Sequence, residues 1–132
     1  MNYLLDTHTF LWTLFEPKKL SKSVTEVILS QENDIAVSVI TFWEISLKYS
    51  IGKLELYNIG PEDIPNYAEQ MDVNILSINS FEAASFYKLP RLKHKDPFDR
   101  LIIWQAIQRN IVILSKDRTF KDYHKFGLKT YW

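Results

Sequence analysis

The 132-residue chain has the length of one domain, and 46% hydrophobic residues against three glycines give it ample core material and little linker. The absence of cysteine excludes disulfides, thiolate metal sites and cysteine nucleophiles, so any metal must take oxygen or histidine ligands. Sixteen basic and sixteen acidic residues cancel, but unevenly: residues 1–87 carry five Lys/Arg against twelve Asp/Glu, and residues 88–132 carry eleven against four.

In chain order, Tyr3–Leu5 reads as a first strand closed by Asp6, and His8–Phe15 as a helix that ends before Pro17. This apolar beginning has no leading basic residues and is broken by Asp6 and His8, so it does not read as a signal peptide. No run approaches the ~18 apolar residues of a membrane span, and a soluble, cytoplasmic protein is expected. Ser21 caps a helix over Lys22–Gln31, Ile35–Ser38 is a second strand, and Thr41–Ile51 is a helix stopped by Gly52. Pro61–Met71 opens with proline in its first turn, Ile75–Ser77 is a third strand, and Asn79 caps Phe81–Tyr87. Pro97–Arg109 is the longest central helix, followed by strands at Val112–Leu114 and Leu128–Trp132. With no repeat or linker, residues 1–132 form one expected domain. Strands alternating with helices predict an α/β sandwich, helices on both faces of a mostly parallel sheet. In such sheets ligands sit beyond the C-terminal strand ends, where strand order reverses.

Four carboxylates stand out against that rule. Asp6 follows the first strand and Asp117 the fourth, although either alone also suits a helix cap. Glu44 shares a helical stripe with Ile40, Leu47 and Ile51, which is expected to face the sheet; a carboxylate there must be paired or bound to a cation, and Lys48 and Lys53 are the local candidates for a pair. In Asp96-Pro97-Phe98-Asp99, Asp96 is the expected helix cap, while Asp99 shares a stripe with Ile102, Ile103 and Ala106 and turns inward. Four crowded carboxylates repel one another unless a cation such as Mg2+ or Mn2+, which prefer oxygen ligands, sits among them. Arg100, Lys116 and Arg118 flank these acids, and the basic C-terminal segment is expected either to track a phosphate backbone or simply to attract the acidic half across the core.

The segments Leu4-Leu5-Asp6-Thr7, Ser38 to Glu44, Asp99-Arg100-Leu101-Ile102-Ile103-Trp104-Gln105-Ala106 and Leu114-Ser115-Lys116-Asp117 together resemble the PIN-domain metal-dependent ribonucleases, and within them the VapC-like toxins of bacterial toxin–antitoxin pairs. The resemblance covers essentially the whole chain. It implies a three-layer sandwich with a five-stranded parallel sheet in the order 3-2-1-4-5. It also implies that Asp6, Glu44, Asp99 and Asp117 form a catalytic, metal-binding site supported by Thr7 and Ser115. Hydrolysis would proceed by in-line attack of metal-activated water on phosphorus, leaving a 5′-phosphate and a 3′-hydroxyl. A homodimer and a cognate antitoxin that inserts a basic side chain into the acidic site are implied too. Many relatives carry asparagine or another small polar residue where this chain has His8, which is expected to be solvated.

The helix bearing Glu44 is apolar on a second side, through Phe42, Ile45 and Tyr49, to be covered by the following helix or by a partner. Two alternatives lack catalysis: a receiver-like module, which needs a second acid after the first strand where this chain has His8, and a silent PIN fold, against which the presence of all four acids argues.

Overall fold

The computed structural model describes residues 1–132. Its five strands are β1 (Asn2–Leu5), β2 (Asp34–Ser38), β3 (Asn74–Leu76), β4 (Val112–Leu114) and β5 (Lys129–Tyr131). They form one sheet in the order β3-β2-β1-β4-β5, every pair parallel, as the resemblance implied. The helices are α1 (Thr7–Phe15), α2 (Lys22–Leu29), α3 (Val39–Ser50), α4 (Ile64–Gln70), α5 (Ser80–Ser85) and α6 (Pro97–Arg109). None is long and apolar enough to cross a membrane.

Alternation along the short strands assigns their side chains to two cores. Leu4, Ala36 and Ile113 meet Ile102, Ile103 and Ala106 of α6 on one face. On the other, Leu5, Ile35, Val37 and Leu114 meet Phe10 of α1, Val24 of α2 and Ile64 and Ala68 of α4. Both faces being covered, the strands need no polar alternation, which is why they read as plain apolar runs.

One expectation for α3 is corrected, and for its second apolar side one of the two alternatives is met. The stripe Ile40, Glu44, Leu47, Ile51 does not lie along the sheet: Ile40 and Glu44 are buried, but Leu47 and Ile51 are 41% and 56% exposed. Ser38 both ends β2 and caps α3, its hydroxyl accepting from the Ile40 amide at 3.1 Å, so no loop remains in which the chain turns back along the strands. The helix instead crosses the C-terminal edge of the sheet, giving Ile40 to one core and Ile45 to the other. Its second apolar side is covered within the chain, with Ile45 buried beside Ile64 and Ala68 and Phe42 set edge-on to Phe10, leaving Tyr49 exposed.

Residues 118–126 carried no sequence assignment and form successive 3-10 turns. Phe120, Tyr123 and Phe126 recur every third residue, the period of a 3-10 helix, and the first two are buried against α6. Gly127 closes the run at φ +102°, a backbone conformation that L side chains rarely adopt, and turns the chain into β5. The predicted helix over Pro61–Met71 is a 3-10 turn, Pro61–Asp63, leading into α4.

Candidate metal centre

Register places the first acid. Leu5 pairs with Val37 on one side and Leu114 on the other, so Asp6 emerges one residue beyond the point where strand order reverses. Its carboxylate caps α1 through the Thr9 amide (2.8 Å) and accepts from the Ser115 hydroxyl (2.5 Å). Ser115 Oγ in turn accepts from the Asp117 amide at 3.1 Å, tying the ends of β1 and β4 together. Asp6 is almost fully enclosed, and burial raises its pKa above the ordinary aspartate value despite the Ser115 and Thr9 bonds.

Glu44 reaches the same end of the sheet from α3. Thr7 donates to its Oε1 at 2.7 Å. Because the Thr7 proton is thus committed, Thr41, 3.0 Å away, must be the donor in the Thr41–Thr7 contact. The other oxygen, Oε2, is bonded by Lys48 one turn along α3. Partial burial works against charge on Lys48, but Glu44, with Asp96 and Asp99, holds its pKa above the usual lysine value. The local pair anticipated for a buried Glu44 is therefore formed.

Asp96 caps α6, accepting from the Phe98 and Asp99 amides at 2.9 and 3.1 Å. Asp99, in the first turn, is directed into the acidic cluster. Burial, followed by the charges of Asp96, Glu44, Asp6 and Asp117, pushes its pKa up to about 8. Asp6, Glu44 and Asp117 thus all act electrostatically on Asp99, but of the predicted acids only Asp117 joins Asp99 within metal-ligand spacing. Asp117 is exposed and caps the 3-10 run through the Thr119 amide and hydroxyl, at 2.9 and 2.6 Å.

The structure adds a member that sequence reading passed over. His94, in the irregular segment before α6, brings Nε2 to 3.0 Å from Asp99 Oδ2. His94, Asp99 and Asp117 each offer a ligand atom within 4.8 Å of the others. Its only sequence signal was a histidine three residues ahead of a capped helix, embedded among Lys93 and Lys95, which looks like a solvated basic stretch.

Of the flanking cations, Lys116 and Arg118 are exposed beside Asp117. Arg100, expected with them at a phosphate backbone, is used internally: its Nη2 donates to the Leu89 and Pro90 carbonyls at 3.0 and 3.2 Å, and its guanidinium lies over the Phe86 ring. His8 is exposed, as expected, and lies against Trp12.

Carboxylates crowded closely enough to raise the proton affinity of Asp99, with an imidazole nitrogen beside it, are a donor set suited to a divalent cation. The residues present therefore fit such an ion.

Known proteins resemble this chain in sequence and in fold. The PIN domain family model matches residues 3–125. Ribonuclease VapC22 of Mycobacterium tuberculosis is 28% identical over 129 residues, spanning 98% of this chain and 97% of that one. The fold is that of solved toxin–antitoxin structures. VapBC2 from Rickettsia felis, bound to a DNA fragment from its promoter, aligns with a TM-score of 0.69 at 18% identity, covering 99% of this chain and 98% of that one. VapBC-1 from nontypeable Haemophilus influenzae aligns with a TM-score of 0.68 at 21% identity, covering 99% and 97%.

Proposed function

This chain belongs to the PIN domain family, and we propose that it is a ribonuclease that hydrolyses RNA phosphodiester bonds with Mg2+ or Mn2+ held by Asp6, Glu44, Asp99 and Asp117, acting as the toxin of a toxin–antitoxin pair. The observation that carries the reading is the crowding at Asp99, which lies within 4.8 Å of ligand atoms of Asp117 and His94 and whose pKa is pushed up to about 8 by burial and by the charges of Asp96, Glu44, Asp6 and Asp117. Without a counter-ion that crowding is a cost; around a divalent cation it becomes binding energy.

When bound, the ion would supply a Lewis acid that orients and acidifies water and offsets charge on the phosphate oxygens. The protein's own part is positioning. Ser115 fixes the rotation of the Asp6 carboxylate, and the Thr41–Thr7 relay fixes Glu44. Asp96 stays on the α6 amides, leaving Asp99 free for the centre. Lys116 and Arg118 stand in solvent at the rim, where cations attract a phosphate backbone. No side chain needs to act as a nucleophile. Attack by water makes no use of the ribose 2′-hydroxyl, so the choice of RNA over DNA is supported instead by the similarity to the mycobacterial ribonuclease.

The antitoxin reading is supported by the VapBC assemblies of the structural relatives and by a hollow of about 610 Å³ beside Glu44 and Lys48. Leu11, Trp12, Leu54 and Leu56 give it apolar walls, which suit a segment that reaches the acidic site with a basic side chain. Exposed Trp43, Leu47 and Ile51 on α3 support a homodimer, to be read from the sedimentation mass.

The test is cleavage of a panel of single-stranded and hairpin RNAs with Mn2+ or Mg2+, comparing the wild type with Asp6→Asn and Asp99→Asn. Metal-dependent cleavage by the wild type and its loss in both variants are expected. Equal trace activity in all three would mean contamination, and the mechanism would fall.

A further inference from the structure

The proposed site leaves one contact unexplained, the approach of His94 to Asp99. The imidazole is held firmly: edge-on to Phe120 and Tyr123, with ring centroids 5.8 and 6.5 Å away, and fixed at its backbone carbonyl by the Tyr123 hydroxyl at 3.2 Å. Nδ1 lies 3.1 Å from Thr119 Oγ1. The Thr119 hydroxyl has one proton, and at 2.6 Å it is given to Asp117 Oδ1. Nδ1 must then be the donor to Thr119, which aims Nε2 at Asp99 as the ring nitrogen left for the site.

Nε2 and Asp99 Oδ2 thus face each other across 3.0 Å, a separation that a proton or a cation can bridge. The spacing also suits an ion. Ligand atoms about 2.1 Å from one octahedral cation lie roughly 3 Å apart when adjacent and roughly 4.2 Å apart when opposite. The His94–Asp99 separation has the adjacent value, and Asp117 offers a third ligand atom within 4.8 Å of both. Chains in which a ligating histidine passes its second N–H through a hydroxyl to a carboxylate are a known means of fixing tautomer and aim.

Resting on the metal-dependent reading above, we infer that His94 Nε2 is a direct nitrogen ligand of the ion held by Asp99 and Asp117, aimed by Thr119, and that the site therefore prefers Mn2+ to Mg2+. Imidazole adds affinity for first-row transition ions, whereas Mg2+ favours oxygen and water. An all-carboxylate centre would lack that bias.

The measurement is electron spin-echo envelope modulation on the full chain loaded with Mn2+, together with equilibrium affinities for Mn2+ and Mg2+. The wild type should show the coupling of a directly bound 14N. The signal should survive His8→Ala, which removes the other histidine close to Asp6, and vanish in His94→Gln. Mn2+ affinity should fall by roughly 10–100-fold in His94→Gln, with Mg2+ affinity changed much less. Should His94→Gln fail to fold, the wild-type and His8→Ala spectra decide alone. Mn2+ bound without 14N coupling would overturn the inference and leave the metal-dependent reading standing, as would equal losses for both ions. Failure of the wild type to bind Mn2+ at all would overturn both.

Discussion

The two ends of α6 each face a buried or half-buried carboxylate, and they treat it in opposite ways. In the last turn, Arg109 meets Glu82 with two hydrogen bonds, 2.7 Å from Nε and 2.8 Å from Nη2, and Nη2 also reaches the Ser77 carbonyl. Glu82 is buried to 2% exposure, yet the Arg109 bonds hold its pKa below the usual glutamate value, and its Oε1 also caps α5 through the Asn79 amide. In the first turn, Asp99 has four carboxylates for company and its pKa is pushed up to about 8. One end completes its electrostatics from within the chain; the other is left needing a cation. Glu82 and Asp99 differ here in how fully the fold supplies the counter-charge, more than in depth of burial, and Glu44 with its Lys48 pair stands between them.

The largest effects should come from exchanging the two outcomes. Asp99→Asn should keep the fold and lower RNA cleavage by on the order of 10²–10³-fold or more, whereas Arg109→Gln should leave the specific activity of the folded fraction near wild type. Urea unfolding should report the reverse: Arg109→Gln strands Glu82 without its partner and should cost about 3 kcal/mol, which metal does not restore. Comparable activity losses in both variants would erase the distinction between the ends.

Next in size is pH. The raised pKa of Asp99 means that the metal-free fold binds its proton more tightly than the unfolded chain does. That contribution is complete below the unfolded value near 3.8 and is lost as pH climbs through about 8. Glu82, whose pKa is lowered from 4.5, contributes with the opposite sign, being fully stabilising above that value and losing its contribution as pH falls below it. Between about pH 5 and 8 the metal-free stability should therefore decline, by on the order of a few kcal/mol, and Asp99→Asn should flatten the decline. A decline unchanged in Asp99→Asn would place its cause elsewhere. The smallest effect belongs to the rim: Lys116→Ala with Arg118→Ala should weaken RNA binding several-fold and reduce its salt dependence, and Arg100→Ala should instead lower stability.

Much of this contrast is legible in the sequence, for identifiable reasons. Asp6 and Asp117 follow short apolar runs, and a parallel sheet delivers its strand ends to one edge, so their placement follows from topology. Glu44 and Asp99 betray themselves as charges on otherwise apolar helical stripes. Arg100 and Arg109 were hidden among the basic residues of the C-terminal third; only tertiary structure shows that their partners are the Leu89 and Pro90 carbonyls and Glu82. His94 was hidden differently, since no periodic element carries it and its direction is fixed by Phe120 and Tyr123, on 3-10 turns whose period of three was overlooked. The direction of α3 also escaped, because a helix beginning where a strand ends has the same sequence periodicity whether it lies along the sheet or across its edge.

The central claim, that the carboxylates around the first turn of α6 exceed what Lys48 can balance and that a divalent cation makes up the difference, is tested most directly by thermal melting at pH 8 with and without Mn2+. At a hundredfold excess over Kd the wild type should gain roughly 8–10 °C, and Asp99→Asn should gain little. An unchanged wild-type Tm, or an equal gain in Asp99→Asn, would contradict the account.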